Sequence, residues 1–124
     1  MKALEIIELV KAEPLALCNE RRLNHDYSLA FATDLMSDAL AMIQDNFDHT
    51  VLITGLCNDQ VLRTAEMLDI EFVIFVRGKR LPESSLEIAE DMGINLYSTR
   101  YTMYETCGLL YQNGVKGIHV NSLT

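Results

Sequence analysis

Four short polar segments carry the residues best suited to bind a small ligand, and each segment directly follows an apolar run. They combine hydroxyl, carboxylate, amide and basic side chains with glycines, and the candidate ligand-binding residues are Thr33, Asp34, Gly55, Asn58, Asp59, Arg77, Gly78, Ser98 and Thr99. The Arg77 guanidinium can hold a phosphate or carboxylate through two parallel hydrogen bonds. Gly55 and Gly78 let backbone N–H groups approach an anion closely. The segments therefore predict a small-anion site, with Arg77 as its strongest single candidate.

The distribution of basic residues supports the same interpretation. The chain has 10 lysines and arginines against 18 aspartates and glutamates, which gives a formal net charge of −8. Several of the basic residues nevertheless lie in or beside the polar segments, namely Arg77, Lys79, Arg80 and Arg100. Gathered at one edge of a folded domain, they would form a local basic patch able to hold a phosphate or a carboxylate.

Helix capping explains many of the same residues, and the sequence leaves the two alternatives open. Polar residues that precede helical stretches are typical N-caps, and here they are Thr33 or Asp34, Asn58 or Asp59, Ser84 and Thr102. The pairs Ser84 with Glu87 and Thr102 with Glu105 have capping-box spacing. Glycines in such segments also serve tight turns. Asp34 and Asp59 would either contact the hydroxyls of a sugar or only cap their helices.

The sequence does not indicate catalytic, cofactor or metal sites. It contains neither GxxxxGK[ST] nor GxGxxG, so neither a P-loop nor a Rossmann fingerprint is expected. His25, His49 and His119 lack HxxxH or HExxH spacing, so no metal site is predicted. Cys57 lies between a predicted strand and a predicted helix, where a thiolate can be activated. A small, partly buried side chain is the favoured interpretation of Cys57, and a nucleophile is the alternative.

Strand-like and helix-like segments alternate along the chain. Apolar runs that suit strands covered on both faces occupy residues 29–32, 51–53, 72–76 and 94–97. Helical periodicity marks residues 2–11, 34–44, 58–68, 85–92 and 103–111. This alternation predicts a three-layer α/β/α fold with a mainly parallel sheet of four to six strands. Residues 19–26 read as a loop, and an antiparallel edge strand is expected at residues 15–18 or 117–120.

The predicted sheet also places the polar segments. Ligands of open parallel α/β sheets bind outside the carboxyl ends of the strands. Helix N-termini at that edge offer unpaired N–H groups and the positive end of the helix dipole. We therefore expect the candidate residues to line one shared cleft, with Gly55 and Arg77 close together.

Length and composition bound the class of protein. The 124 residues and 14.0 kDa fit one domain over residues 1–124, and a hydrophobic content of 49% is sufficient for a packed core. The excess of acidic over basic residues disfavours binding to nucleic acid and to anionic membranes. The three cysteines form no CxxC pair, and the N-terminal stretch interleaves charged with apolar residues. These features predict a cytoplasmic protein.

Several segments resemble the DRTGG-domain family in their order and spacing. They are DLMSDALA at 34–41, VLITG at 51–55 followed by Asn58-Asp59, the apolar run at 72–76 with RG after it and LPE at 81–83, GINLYST at 93–99, and the TMYE stretch at 102–105. The same pattern is similar to the N-terminal domain of HPr kinase/phosphorylase, and the resemblance covers residues 1–118. The naming motif departs from the family, because Gly55-Leu56-Cys57-Asn58-Asp59 stands where D-R-T-G-G is expected.

The resemblance implies a stand-alone regulatory domain rather than an enzyme. The kinase domain that follows in HPr kinase has no counterpart in this sequence, so neither ATP hydrolysis nor phosphorylation of HPr is expected. Family members occur within some phosphotransacetylases and beside CBS domains in some pyrophosphatases, where adenine nucleotides regulate the enzyme. A small anionic, nucleotide-like ligand or a partner enzyme is implied for this chain. The alternative is a pure interaction or oligomerisation domain without a small-molecule ligand.

We also expect the chain to form a homodimer. Most soluble homo-oligomers are two-fold dimers. Tyr101, Tyr104 and Tyr111 crowd one C-terminal segment, and aromatic residues are enriched at protein interfaces. Packing in the core is the alternative role for the same tyrosines.

Overall fold

The computed structural model describes residues 1–119 and shows helices alternating with the strands of one sheet. The α-helices are α1 (Ala3–Leu9), α2 (Met36–Met42), α3 (Asp59–Leu68), α4 (Glu83–Met92) and α5 (Met103–Gln112). The strands are β1 (Glu13–Ala16), β2 (Leu29–Ala32), β3 (Thr50–Thr54), β4 (Phe72–Phe75), β5 (Asn95–Ser98) and β6 (Lys116–Gly117). Short 3-10 helices span Glu20–Asn24 and Gln44–His49. None of the helices within residues 1–119 is long and apolar enough to cross a membrane.

The six strands form a mainly parallel sheet in the order β1-β5-β4-β3-β2-β6. Strands β2 to β5 pair in parallel with their neighbours, and β6 pairs in parallel with β2. Strand β1 is the exception, because it pairs with β5 in the antiparallel direction. This confirms the predicted α/β fold with a mainly parallel sheet.

Both faces of the sheet are covered by helices. On one face, Leu52, Val73 and Phe75 pack with buried residues of α2, α3 and α4. On the other face, Ile53 and Ile74 pack with buried residues of α1 and α5. Every residue of β3 and β4 is buried, which explains why these strands read as continuous apolar runs rather than as alternating ones. The predicted three-layer arrangement is confirmed.

The strands near the chain ends differ from their predicted positions. The predicted strand at 15–18 begins earlier, at Glu13, and includes Pro14; proline is tolerated there because β1 is at the edge of the sheet. The predicted strand at 117–120 is β6, which covers Lys116–Gly117, while Val120 lies outside the described residues. The predicted loop at 19–26 contains a 3-10 helix, because the Asn19 side chain accepts a hydrogen bond from the Arg21 amide.

The capping predictions are partly confirmed. The Asn58 side chain accepts from the Gln60 amide, and Thr102 accepts from the Glu105 amide. The prediction for Ser84 was wrong, because Pro82 is the N-cap of α4 and Ser84 lies inside its first turn. The predicted capping box between Ser84 and Glu87 is therefore also wrong. Helix α2 begins at Met36 and its N-cap is Leu35, so the prediction of Thr33 or Asp34 as the N-cap was wrong.

We expect Leu52→Ala to lower the free energy of unfolding by about 2–5 kcal/mol, because it leaves a cavity under the helices of one face. Leu52 is 0% exposed, whereas Leu35 is 58% exposed and provides a matched control. Leu35→Ala should change the stability by no more than about 0.5 kcal/mol. Urea unfolding followed by circular dichroism measures both values, and equal losses would contradict the described core.

Candidate functional site

The candidate residues all lie at or after the carboxyl ends of neighbouring parallel strands. The register pairs Ala32 with Ile53, and Phe75 with both Thr54 and Ser98, so β2 to β5 end along one edge of the sheet. The loops after these strands therefore share that edge, as the sequence predicts. Their side chains divide into three separate groups rather than lining a single cleft.

The first group joins Asp34, Gly55 and Arg77. The Gly55 amide donates a hydrogen bond of 2.7 Å to Asp34 Oδ1, and Thr54 Oγ1 donates to the same oxygen at 3.4 Å. A Cβ atom on Gly55 would lie 2.8 Å from Arg77 Nη2 and 3.2 Å from Asp34 Oδ1. Gly55 and Arg77 are thus neighbours, and the glycine gives the guanidinium the space it occupies. Thr33 lies beside this group, with its hydroxyl accepting from the Leu35 amide.

The backbone after β4 makes a tight left-handed turn. Arg77 has φ 58° and Gly78 has φ 67°, a region that disfavours residues with a Cβ atom. The Arg77 amide donates to the Tyr101 carbonyl and the Gly78 amide to the Thr99 carbonyl, each at 2.8 Å. Both N–H groups are therefore used to hold the loop after β5. The glycine here serves a turn, and its N–H group is not free to contact an anion.

The second group lines a cleft of about 290 Å³ at the same edge, on the side of β1. We call it the basic cleft, and its residues are Val10, Lys11, Glu13, Gly78, Arg80, Ser98, Thr99, Arg100 and Tyr101. Three of these side chains are basic and one is acidic, although the whole chain carries a net charge of −8. Arg80 lies 3.7 Å from Glu13, and both side chains are well exposed to solvent. Within residues 1–119, neither Lys11 nor Arg100 has an ion-pair partner.

Two buried hydroxyls shape the wall of the basic cleft. Ser98 Oγ donates to the Lys79 carbonyl at 2.8 Å, and Thr99 Oγ1 donates to the Val10 carbonyl at 2.6 Å. The Thr99 oxygen also accepts from the Tyr101 amide. These bonds tie the loops after β4, β5 and α1 together. The hydroxyls therefore fix the position of the cleft, and its basic side chains take no part in these bonds.

The third group lies at an open groove of about 520 Å³ between the starts of α3 and α4. Asn58 caps α3, and Asp59 accepts a hydrogen bond from Ser85 Oγ, so both residues have structural partners. Burial raises the pKa of the neighbouring Cys57 thiol, and the nearby Lys79 acts in the opposite direction without reversing the shift. Cys57 is therefore a thiol near neutral pH, which gives no support to the alternative of an activated nucleophile.

Sequence reasoning missed the contribution of residues 10–13 to the basic cleft. Strand β1 runs antiparallel to β5 and pairs Glu13 with Ser98, which brings the end of α1 to the carboxyl edge. Lys11 and Glu13 follow a charged helix in the sequence, and nothing local distinguishes them from residues of that helix. The pairing of β1 with a strand that lies far along the chain was the missing information.

Comparisons with known proteins support the fold. No family model and no curated protein matches the chain. A solved structure does match, namely the CBS and DRTGG domains of the regulatory region of Clostridium perfringens pyrophosphatase complexed with its activator, diadenosine tetraphosphate. The TM-score is 0.68 at 16% sequence identity, over 99% of this chain and 54% of that chain. The chain thus shares the fold of a regulatory region and spans about half of its length.

The two glycines of the site should differ in what they contribute to stability. Gly78→Ala should lower the free energy of unfolding by about 1 kcal/mol, because it puts a Cβ atom on a left-handed backbone. Gly55→Ala should cost less than Gly78→Ala, since the nearest atom is the end of the flexible Arg77 side chain and Asp34 Oδ1, at 3.2 Å, has to shift by only a few tenths of an ångström. Urea unfolding of both variants tests this. A larger loss for Gly55→Ala would show that this contact is structural.

Proposed function

We propose that the chain is a non-catalytic regulatory module that senses a small anionic, nucleotide-like ligand and passes its state to a partner enzyme. The observation that carries the proposal is the basic cleft, which concentrates positive charge at the ligand-binding edge of a strongly acidic chain. The ligand-sensing role agrees with the regulatory region that shares its fold, which binds a dinucleotide activator.

The side chains around the basic cleft suit a phosphate-bearing ligand. Lys11 and Arg100 supply positive charge that no carboxylate of the described residues neutralises in an ion pair. Arg80 adds a guanidinium whose ion pair with Glu13 is exposed, and such a pair is weak enough to yield to a phosphate. Tyr101 places an aromatic ring at the same cleft, and an aromatic ring can stack on a nucleobase. Charge and stacking together favour a nucleotide over inorganic phosphate.

The predicted residues enter the proposal in different ways. Gly78, Ser98 and Thr99 belong to the basic cleft and form its wall. Arg77 precedes Gly78 on the same turn, and its guanidinium beside Gly55 would contact a ligand that extends beyond the cleft. Asp34 positions the Gly55 loop, and Thr33 holds the turn before α2. Asn58 caps α3, and Asp59 connects the start of α3 to that of α4. The cleft is therefore the centre of the proposed site.

The relation to the DRTGG family is part of the same proposal. The sequence resemblance to DRTGG domains, and through them to the N-terminal domain of HPr kinase, is consistent with the regulatory region found as a structural neighbour. The absent P-loop and the protonated Cys57 thiol both favour ligand sensing over phosphotransfer. We propose a cytoplasmic domain over residues 1–124 that acts on a partner enzyme through its assembly.

Ligand binding is tested by thermal shift with diadenosine tetraphosphate, ATP, acetyl phosphate and inorganic phosphate. A specific ligand at a hundredfold excess over its Kd should stabilise the protein by about 2.7 kcal/mol. Arg100→Ala and Lys11→Ala should reduce that stabilisation, because each removes a cleft charge. Arg21→Ala is the matched control, since Arg21 is exposed on the 3-10 helix Glu20–Asn24 and does not line the cleft.

Arg77→Ala tests how far the ligand extends along the edge. Arg77 is exposed and forms no ion pair within residues 1–119, so the melting temperature of the free variant should stay nearly unchanged. We expect the variant to lose the binding of a ligand long enough to reach from the cleft to Arg77 and to keep that of a shorter one. The proposal fails if none of the four ligands shifts the melting temperature, or if the cleft variants bind as well as the Arg21 control.

A pure interaction or oligomerisation domain is the second candidate, and one surface favours it. Tyr104 is 88% exposed and Tyr111 is 63% exposed, and both project from α5. Large exposed aromatic side chains are typical of interface residues. Tyr101, in contrast, is half-buried at the basic cleft. The exposure of the first two tyrosines agrees with the predicted homodimer and disagrees with a role in the core.

Sedimentation velocity at high micromolar concentration tests the homodimer. We expect a dimer that Tyr104→Glu and Tyr111→Glu dissociate, because each variant places a charge in the proposed interface. Glu87→Lys is a control that changes charge on the exposed surface of α4. A protein that is monomeric at all concentrations would remove the dimer, and ligand binding without dimerisation would favour the first function alone.

A further inference from the structure

Two histidines and an aspartate meet at the amino edge of the sheet, opposite the basic cleft. His25 lies before β2, and Asp48 and His49 lie directly before β3. Each residue offers one ligand-type atom, and the three atoms lie within 4.8 Å of one another. His25 is far from His49 in sequence, so histidine spacing could not show the cluster. Within residues 1–119, it is the one group of three such residues close enough to hold a metal ion.

The fold places the two imidazole rings side by side. Their centroids are 5.6 Å apart and their planes differ by 12°, so the rings are stacked. His25 also packs edge-on against the buried ring of Tyr27, at 5.0 Å between centroids. The backbone around each histidine is fixed by neighbouring strands and helices, because the Ala3 amide donates to the His25 carbonyl and the Ser28 amide to the His49 carbonyl. The fold therefore fixes the backbone of both histidines, and their side chains have to turn for the ring nitrogens to face one ion.

The hydrogen bonds of His49 leave a nitrogen available for a metal. His49 Nδ1 lies 3.3 Å from the Asp26 carbonyl oxygen, which can only accept, so Nδ1 carries the hydrogen. In the neutral imidazole with its hydrogen on Nδ1, Nε2 has a free lone pair for a metal ion, and it lies 3.9 Å from Asp48 Oδ2. Histidine ligands of metal ions typically donate the other ring N–H to a backbone carbonyl in this way.

The surroundings of Asp48 resemble the outer contacts of a ligating carboxylate. Arg22 Nη1 lies 3.3 Å from Asp48 Oδ1, which leaves Oδ2 directed towards His49. Arg22 Nε lies 3.0 Å from Glu71 Oε2, with an angle too bent for a hydrogen bond. The single guanidinium is thus opposed by two carboxylates, and the local charge does not repel a cation. Carboxylate ligands are normally held by such outer partners.

We propose that His25, Asp48 and His49 bind a transition-metal cation of the Zn²⁺ class. The ligands are His25 Nε2, His49 Nε2 and a carboxylate oxygen of Asp48, and solvent completes the tetrahedral coordination. The ligand atoms have to close from 4.8 Å to about 3.3 Å, as bonds of about 2.0 Å require. His25 Nε2 gives up its hydrogen bond to the Asp48 carbonyl, and its hydrogen moves to Nδ1. Imidazole ligands favour Zn²⁺ over Mg²⁺ or Ca²⁺.

Isothermal titration calorimetry of the full chain with Zn²⁺ tests the site. We expect one ion per chain, unaffected by excess Mg²⁺, and a loss of affinity of at least about tenfold in His49→Ala and Asp48→Asn. His119→Ala is the matched control, because His119 is exposed and outside the cluster. His49 is 57% exposed, so its replacement should leave the fold intact, as circular dichroism will show.

The absorption spectrum of bound Co²⁺ distinguishes this site from one built on thiols. The chain has three free cysteines, and ligation by any of them would add an intense thiolate charge-transfer band. The proposal expects weaker ligand-field bands alone, which His49→Ala removes. It is overturned by absence of Zn²⁺ binding, by the thiolate band, or by affinity that is unchanged in His49→Ala and Asp48→Asn.

Discussion

The parallel ladder from β2 to β5, covered by helices on both faces, is the constraint on which the rest of the structure depends. Parallel neighbours cannot be joined by tight turns, so each connection must cross a face of the sheet, here through a helix. Helices α2, α3 and α4 cover one face in succession, and α1 and α5 cover the other. Every loop from a strand of this ladder to the following helix is thereby brought to one edge, and every segment that enters a strand of the ladder is brought to the opposite edge.

The two edges consequently carry different chemistry. At the carboxyl edge, backbone groups and buried hydroxyls hold the loops, and the basic side chains of Lys11, Arg80 and Arg100 project around a cleft. At the amino edge, the segments that enter β2 and β3 bring His25 against Asp48 and His49. The proposed anion site and the proposed cation site thus lie at opposite ends of the same strands, separated by the length of the sheet.

At the carboxyl edge, some polar side chains form hydrogen bonds that hold the loops, and others form none. Asp34 is committed to the Gly55 amide, Asn58 to the first turn of α3, and Thr99 to the carbonyl at the end of α1. The exposed cations have few such commitments, since long side chains do not satisfy nearby backbone groups as readily as short ones do. The capping interpretation therefore holds for some residues of these loops, and the binding interpretation stays a prediction for the others.

The sequence alone determined the helices and strands, because an apolar run or a helical period reports burial locally. Strand β2 lies where it was predicted. Gly55 and Arg77 meet because their strands are neighbours. It could not determine which distant segments touch. The antiparallel pairing of β1, which adds Lys11 to the cleft, depends on packing between segments far apart in the chain. The contact between His25 and His49 also depends on packing between distant segments. Only the tertiary structure decided these contacts, since no local pattern encodes them.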